Sequence, residues 1–290
     1  MSHVTAEPSG RRDAPRVLIT RGMDRAGELV DLLRRHGVEP VLTPLSEAAS
    51  VSDEDARGAL AVLRRRPFDA VTFTSAYGVW GLHDVCGRAP EPFPMGEIAP
   101  IVWCVGGATR AAAVEAGLDP VEAPATSSGR GMVEDRRRVL GNEGRRRVLC
   151  VRGRPARTEL VEGLRADGHD VVEAVVYERR PYPVDRPLIA RTEQSPDPPM
   201  VLDRGETAEF LVSGGASAVI ATSPKLVQTV HSLGPVSVPV VCIGSTTEAA
   251  AQALGLTTIS SEGTTPQDLV RATTNLLSAQ DNEQSRSRKQ

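Results

Sequence analysis

Short runs of β-branched and apolar residues alternate along the chain with stretches of helical periodicity. Runs such as Val17-Leu18-Ile19-Thr20 are too short for helices and lack the alternation of a half-exposed strand, so they read as strands buried on both faces. Each is followed by a small or polar turn and then by apolar residues three and four apart. After the first run, Leu29, Val30, Leu32 and Leu33 share one helical face, and Gly37 closes the segment as a C-cap. Buried strands alternating with helices predict an α/β fold built on parallel sheets.

The pattern occurs twice. Residues 16–47 resemble 147–178, residues 69–79 resemble 217–227, and residues 101–133 resemble 239–270, in the same order in both halves. The clearest pair is CVGGATRAAAVEAGLD from Cys104 and CIGSTTEAAAQALGLT from Cys242. A duplication of this extent predicts two similar open parallel-sheet domains of flavodoxin-like type. Ligands of such sheets bind beyond the carboxyl ends of the strands, where the turns and helix N-termini lie. The repeated turns after the strands therefore rim the expected sites. Serines and threonines there cap helices, and uncapped helix starts offer N–H groups and the positive end of the dipole. Arg21 and Arg152, each directly after the first strand of its half, add one cation apiece. The predicted ligand is a polyanion.

Composition narrows the alternatives. The 290 residues suffice for two domains, and a net charge of −3 with scattered Lys and Arg lacks the footprint of a nucleic-acid binder. Arg136–Arg138 and Arg145–Arg147 read as solvated helix ends and loops. Cys86, Cys104, Cys150 and Cys242 are isolated and the five histidines dispersed, so neither a metal site nor a catalytic triad is expected. There is no phosphate-binding GxxxxGK[ST], and VGGAT lacks the third glycine and downstream acid of a dinucleotide fingerprint, so no cofactor is expected. No apolar run is long enough to span a membrane, and the polar N-terminus lacks a signal-peptide core, which predicts a cytoplasmic protein. Residues 1–14 and 279–290 are polar and predicted disordered, and the Pro-rich stretch 186–215 is predicted to be an exposed loop. Trp80 and Trp103 are expected to pack in or beside the core.

FTSAYGV at 73–79, VGGATRAAAVEAGL at 105–118, TSSG at 126–129, VVYERRP at 175–181, TSPKLV at 222–227, IGSTTEAAAQALGL at 243–256 and TPQDLV at 265–270 together resemble the uroporphyrinogen-III synthase family. Each motif alone is weak, but their order and spacing are specific and span about residues 16–277. The resemblance implies a cofactor-free monomeric lyase of tetrapyrrole biosynthesis. Its substrate would be hydroxymethylbilane, a linear tetrapyrrole with eight carboxylates, received by transient hand-over from hydroxymethylbilane synthase. Water is lost, and the ring closes to uroporphyrinogen III with inversion of the last pyrrole through a spiro intermediate. The resemblance also implies two domains joined by a two-stranded hinge ladder, with residues 38–45 and 170–179 as its antiparallel strands. Domain 1 would be residues 15–40 plus 180–278, and domain 2 residues 41–179.

Site residues follow by the same resemblance. Tyr177, in VVYERRP, is the candidate proton donor for loss of water; a phenol is protonated at neutral pH. Thr109 and Thr247 match the helix-start threonines, and Ser75 and Ser223 the TS turns. Ser127 and Ser128 match a third small-polar turn. All six, with Arg21 and Arg152, are expected to bind carboxylates. Tyr77 stands where the family often has a smaller polar residue and is expected to project into the site. A non-catalytic tetrapyrrole- or polyanion-binding paralogue is the alternative reading, and a two-lobed sugar-nucleotide transferase a more distant one.

Overall fold

The computed structural model describes residues 14–65, 67–87, 100–141, 144–189 and 197–287. The chain forms β1 (Arg16–Ile19), a 3-10 turn (Met23–Arg25), α1 (Gly27–Arg35), β2 (Glu39–Leu42), β3 (Ser46–Ser50), α2 (Asp53–Arg65), β4 (Ala70–Phe73) and α3 (Ala76–Gly87). Then come β5 (Ile101–Cys104), α4 (Gly107–Glu115), α5 (Gly129–Leu140), β6 (Arg147–Arg154), α6 (Glu159–Ala166) and β7 (Asp170–Pro181). The last third holds β8 (Met200–Val201), α7 (Arg204–Val212), β9 (Ala218–Ala221), α8 (Pro224–Leu233), β10 (Val240–Cys242), α9 (Ser245–Gln252), β11 (Thr258–Ser260) and α10 (Pro266–Ser287).

These elements fall into two compact α/β units. The first comprises Met1–Leu45 with Arg191–Gln290, the second Ser46–Ala190. The first unit carries the all-parallel sheet β11-β10-β9-β1-β2-β8. In the second, the order is β5-β4-β6-β7-β3, parallel except for the last pair. Read outward from β1 in one sheet and β6 in the other, the orders superimpose. The chain reversal falls between β1 and β9, and between β6 and β4, which makes those gaps the switch points of a flavodoxin-like sheet. A single bridge, Val102 to Pro120, occupies in the second sheet the place that β11 fills in the first.

Both sheets are buried on two faces, as continuous apolar strands require. Val17 and Ile19 face one side with Leu29 and Leu33 of α1 and Leu269 of α10, while Leu18 and Val219 face the other with Val227 and Val230 of α8. Helix α1 ends at Gly37, whose φ of 71° is the left-handed conformation that glycine adopts at least cost. In the second unit, Leu149 and Val151 of β6 face α2 and α3, and Val148 and Cys150 face α5 and α6.

Three expectations are corrected. The antiparallel partner of β7 is β3, residues 46–50, and not residues 38–45: β2 lies within the latter and pairs in parallel with β1. Its Val41 and Leu42 are buried, and the first unit's core claims them. The stretch 186–215 is not simply a loop. It contributes β8, parallel to β2, and α7, which starts on a capping box: Asp203 Oδ1 accepts from Glu206 N at 2.9 Å and Glu206 Oε2 from Asp203 N at 2.8 Å. Residues 279–287, expected to be disordered, continue α10; this segment carries Ala, Gln, Glu and Arg, which favour helix, and contains neither Pro nor Gly. Residues 1–13 and 288–290 of the predicted disordered ends lie outside the described residues.

Candidate functional site

In each unit three adjacent strands deliver their turns to one carboxyl edge. In the first unit, Ile19 pairs with Ile220, and Ala221 with Cys242. Continuing that register sets Arg21 beside Thr222 and Ile243. In the second, Val151, Phe73 and Cys104 are level, so Gly153, Ser75 and Gly106 follow level two residues on. Sequence partners Arg21 and Arg152, Ser75 and Ser223, and Thr109 and Thr247 thus occupy matching places in the two sheets.

In the first unit, Thr20 Oγ1 donates to the Ile220 carbonyl at 3.0 Å and ties β1 to β9 at this edge. Arg21 follows, its Nη1 3.4 Å from the Arg25 carbonyl across the 3-10 turn. Ser223 caps α8, its Oγ accepting from Leu226 N at 3.3 Å, with Pro224 in the first turn. Helix α9 starts differently. Its cap is Gly244, no side chain caps it, Ser245 and Thr246 are exposed, and Thr247 is buried at 3% exposure.

The second unit repeats this. Ser75 Oγ accepts from Tyr77 N at 3.2 Å at the start of α3. Helix α4 starts on Gly106 without a side-chain cap; Gly107 and Ala108 are exposed and Thr109 is 4% exposed. The first N–H groups of α4 and α9 are therefore the donors left for an anion. Ser127 is brought to the same place: a Cβ on Gly106 would lie 2.8 Å from Ser127 Oγ. Its neighbour Ser128 instead caps α5, accepting from Gly131 N at 3.0 Å. The burial of both threonines turns them toward their own unit, and the exposed Ser245 and Thr246 were missed by sequence reasoning. The signal was available, since the helix dipole acts over the whole first turn and not at one matched threonine.

Tyr177 is placed by an irregularity. Strands β6 and β7 pair one to one as far as Arg152 and Val175, then a bulge skips Val176 and sets Tyr177 opposite Gly153. Strict alternation would put Tyr177 on the side of Val171 and Glu173. The bulge moves it to the side of α3, where its ring lies over Gly153 and 5.6 Å from the ring of Tyr77. Tyr77 is not the projecting side chain expected. It is 6% exposed, packed edge-on to Trp80 with centroids 5.5 Å apart.

Arg152 is also placed otherwise than expected. Its guanidinium is ion-paired with Glu173, which Arg165 Nη2 also contacts at 2.9 Å, on the face opposite Tyr177. Further along, buried Glu178 takes Arg154 Nη1 at 2.7 Å and Arg180 Nε at 2.7 Å. The cysteines that end β5 and β10 supply no nucleophile, because burial pushes the thiols of Cys104 and Cys242 up to about 11. Among the described residues, no group of three His, Cys, Asp or Glu side chains is placed to hold a metal, and no helix is long and apolar enough to cross a membrane. A groove of about 280 Å³ between β11 and α10, lined by Ile259, Glu262, Arg271 and Leu276, contains none of the candidate residues.

Comparison with known proteins bears on this arrangement. Solved structures that share the fold include a mutant uroporphyrinogen III synthase from the extremely thermophilic bacterium Thermus thermophilus, at TM-score 0.60 and 18% identity over 92% of this chain and 100% of that one, and uroporphyrinogen-III synthetase from Helicobacter pylori, at TM-score 0.59 and 15% identity over 90% and 99%. No curated protein sequence matches the chain. The family model described as uroporphyrinogen-III synthase HemD matches residues 27–271, which takes in the second unit's carboxyl edge, the β7 bulge and the starts of α8 and α9, and begins after β1 and Arg21. The chain belongs to the uroporphyrinogen-III synthase family.

Proposed function

We propose that the protein dehydrates and cyclises hydroxymethylbilane to uroporphyrinogen III. The observation that carries this reading is the pair of equivalent carboxyl edges, each with an uncapped helix start, set within a chain of this family. Eight carboxylates need many donors, and backbone amides with hydroxyls supply them without many cations. Ser127 and the amides of Gly107 and Ala108 form one such set, and Ser245, Thr246 and the start of α9 another. Arg21, Ser75 and Ser223 flank them at the switch points. Thr109 and Thr247 serve by fixing the first turn of each helix, and Ser128 by fixing α5 beneath Ser127. Arg152, paired with Glu173, orders the strand that carries Gly153.

Tyr177 gives its proton to the hydroxyl of the substrate's hydroxymethyl group, so that the C–O bond breaks with water leaving in place of hydroxide. The resulting azafulvene carbon is attacked by the substituted α-carbon of the terminal pyrrole, giving the spiro intermediate. That ring is then reattached in inverted sense, and the proton lost as aromaticity returns restores the phenol. The balance is one bilane to one macrocycle and one water. Holding the flexible chain with its ends together contributes to the rate through proximity and orientation, and because ring closure without help gives the uninverted isomer, the same hold directs the attack to the substituted α-carbon. The protein acts as a cytoplasmic monomer that receives its unstable substrate by transient hand-over.

Complementation tests the reading. A strain lacking uroporphyrinogen-III synthase and expressing this chain is expected to regain type III tetrapyrroles. Continued accumulation of type I porphyrin with the folded protein present would refute it.

A further inference from the structure

We propose that Arg179 is a carboxylate-binding residue of the Tyr177 edge, positioned by the ring of Tyr77. Residues 177 to 180 of β7 alternate in side-chain direction, so Tyr177 and Arg179 share one side of the strand and Glu178 and Arg180 the other. The fates of the nearby arginines divide along that line. Arg154 and Arg180 close on Glu178, and Arg152 and Arg165 close on Glu173. Arg179 is exposed, and among the described residues no carboxylate is paired with it. Its Cζ instead stands 5.0 Å from the centroid of Tyr77.

Tyr77 connects this cation to the rest of the edge. Its backbone N–H is held by Ser75, and its ring touches the rings of both Tyr177 and Trp80. An exposed arginine ordinarily samples many rotamers. One resting on an aromatic ring keeps its charge in place while its N–H groups remain available to an incoming anion. A carboxylate takes two of them side by side, which fixes direction as well as position. One carboxylate of the bilane bound here would lie beside the phenol that donates the proton. This also gives a role to Tyr77, which at first looks like an intrusion into the site.

The inference rests on the proposed use of the Tyr177 edge, and its test reads binding without turnover. The affinity for the product uroporphyrinogen III is measured anaerobically by ultrafiltration, for the unmodified protein and for Arg179→Gln, Arg179→Lys and Arg271→Gln. Arg179→Gln is expected to weaken binding about tenfold at low salt, as loss of one charged two-point contact should. The difference should narrow at high salt. Arg179→Lys should fall between, and Arg271→Gln, which removes an exposed cation on α10, should bind as the unmodified protein does. KM for hydroxymethylbilane should rise in parallel in Arg179→Gln while kcat stays within about twofold. Unchanged affinity in Arg179→Gln, or an equal loss in Arg271→Gln, overturns the proposal. A protein that binds uroporphyrinogen III through Arg179 yet forms no type III isomer would refute the proposed catalysis and leave the Arg179 site standing.

Discussion

Replacing Gly153 by alanine tests how Tyr177 is held. A Cβ built on Gly153 meets Tyr177 Cε2 at 2.5 Å and Cε1 at 2.7 Å, with Cζ closer still. Carbon atoms in contact settle at about 3.5–4.0 Å, so the ring must retreat by ~1 Å or more, or the bulge must open. Retreat is resisted by Tyr77 on α3, whose Gly81 already packs against the backbone of Val176. Overpacking of this kind costs about 1–3 kcal/mol. For a unit of this size, about 2 kcal/mol corresponds to a Tm lower by ~4–8 °C. The hydroxyl is displaced by a comparable distance, and misplacement of a reacting group by about 1 Å can cost about a hundredfold in rate. Gly153→Ala should therefore lower kcat by roughly 10- to 100-fold, with KM little changed. Thermal unfolding and initial rates are measured together, in the parent and in a Tyr177→Ala background. With the ring removed, Gly153→Ala should cost almost nothing in stability, because the two sites are coupled through that one contact. A Gly153→Ala protein with parental Tm and kcat, or a stability loss that persists in the Tyr177→Ala background, would show that the ring is not held there.

Other expectations follow from local chemistry. Burial pushes the thiols of Cys104, Cys150 and Cys242 up to about 11. The native state therefore keeps protons that the unfolded state releases above about 8.5, and stability is full below that pH and declines as pH rises toward 11. Urea midpoints taken across this window should fall, and the fall should be shallower in Cys150→Ala. Burial, with Arg136 and Arg146 nearby, lowers the pKa of His169, so its contribution to stability is present above the ordinary histidine range and lost as pH drops below it; His169→Asn should flatten that acid-side slope in the same titration. Asp203→Ala, which removes the α7 capping box, should cost about 1 kcal/mol by urea unfolding without altering kcat. Tyr177→Phe keeps the ring over Gly153 but not the proton, and should lower kcat more than it changes KM.

The duplication made most of the architecture legible, because a strand, a turn and a capped helix leave local signals that repeat. Ser223 and Ser75 were readable at helix starts for that reason, whereas Ser128, expected to bind a carboxylate, turns out to cap α5. Features that depend on distant partners were not. Arg152 follows its strand as Arg21 does, but its pairing with Glu173 arises only when β6 and β7 align, and nothing near Arg152 in sequence announces it. The bulge that brings Tyr177 to Gly153 is likewise a property of two strands together. Residues 38–45 and 46–50 are both extended, and only the competition between two sheets decides which one β7 takes. The α7 helix is different: Asp203 and Glu206 carry its start signal plainly, and the proline-rich surroundings obscured it.

Whether this chain directs ring closure to the inverted isomer is read directly from its product. Purified protein would be supplied with hydroxymethylbilane made in place from porphobilinogen by hydroxymethylbilane synthase, the products oxidised, and the uroporphyrin isomers separated by chromatography. Predominantly type III product is expected. Type I alone, indistinguishable from the reaction without the protein, would contradict it.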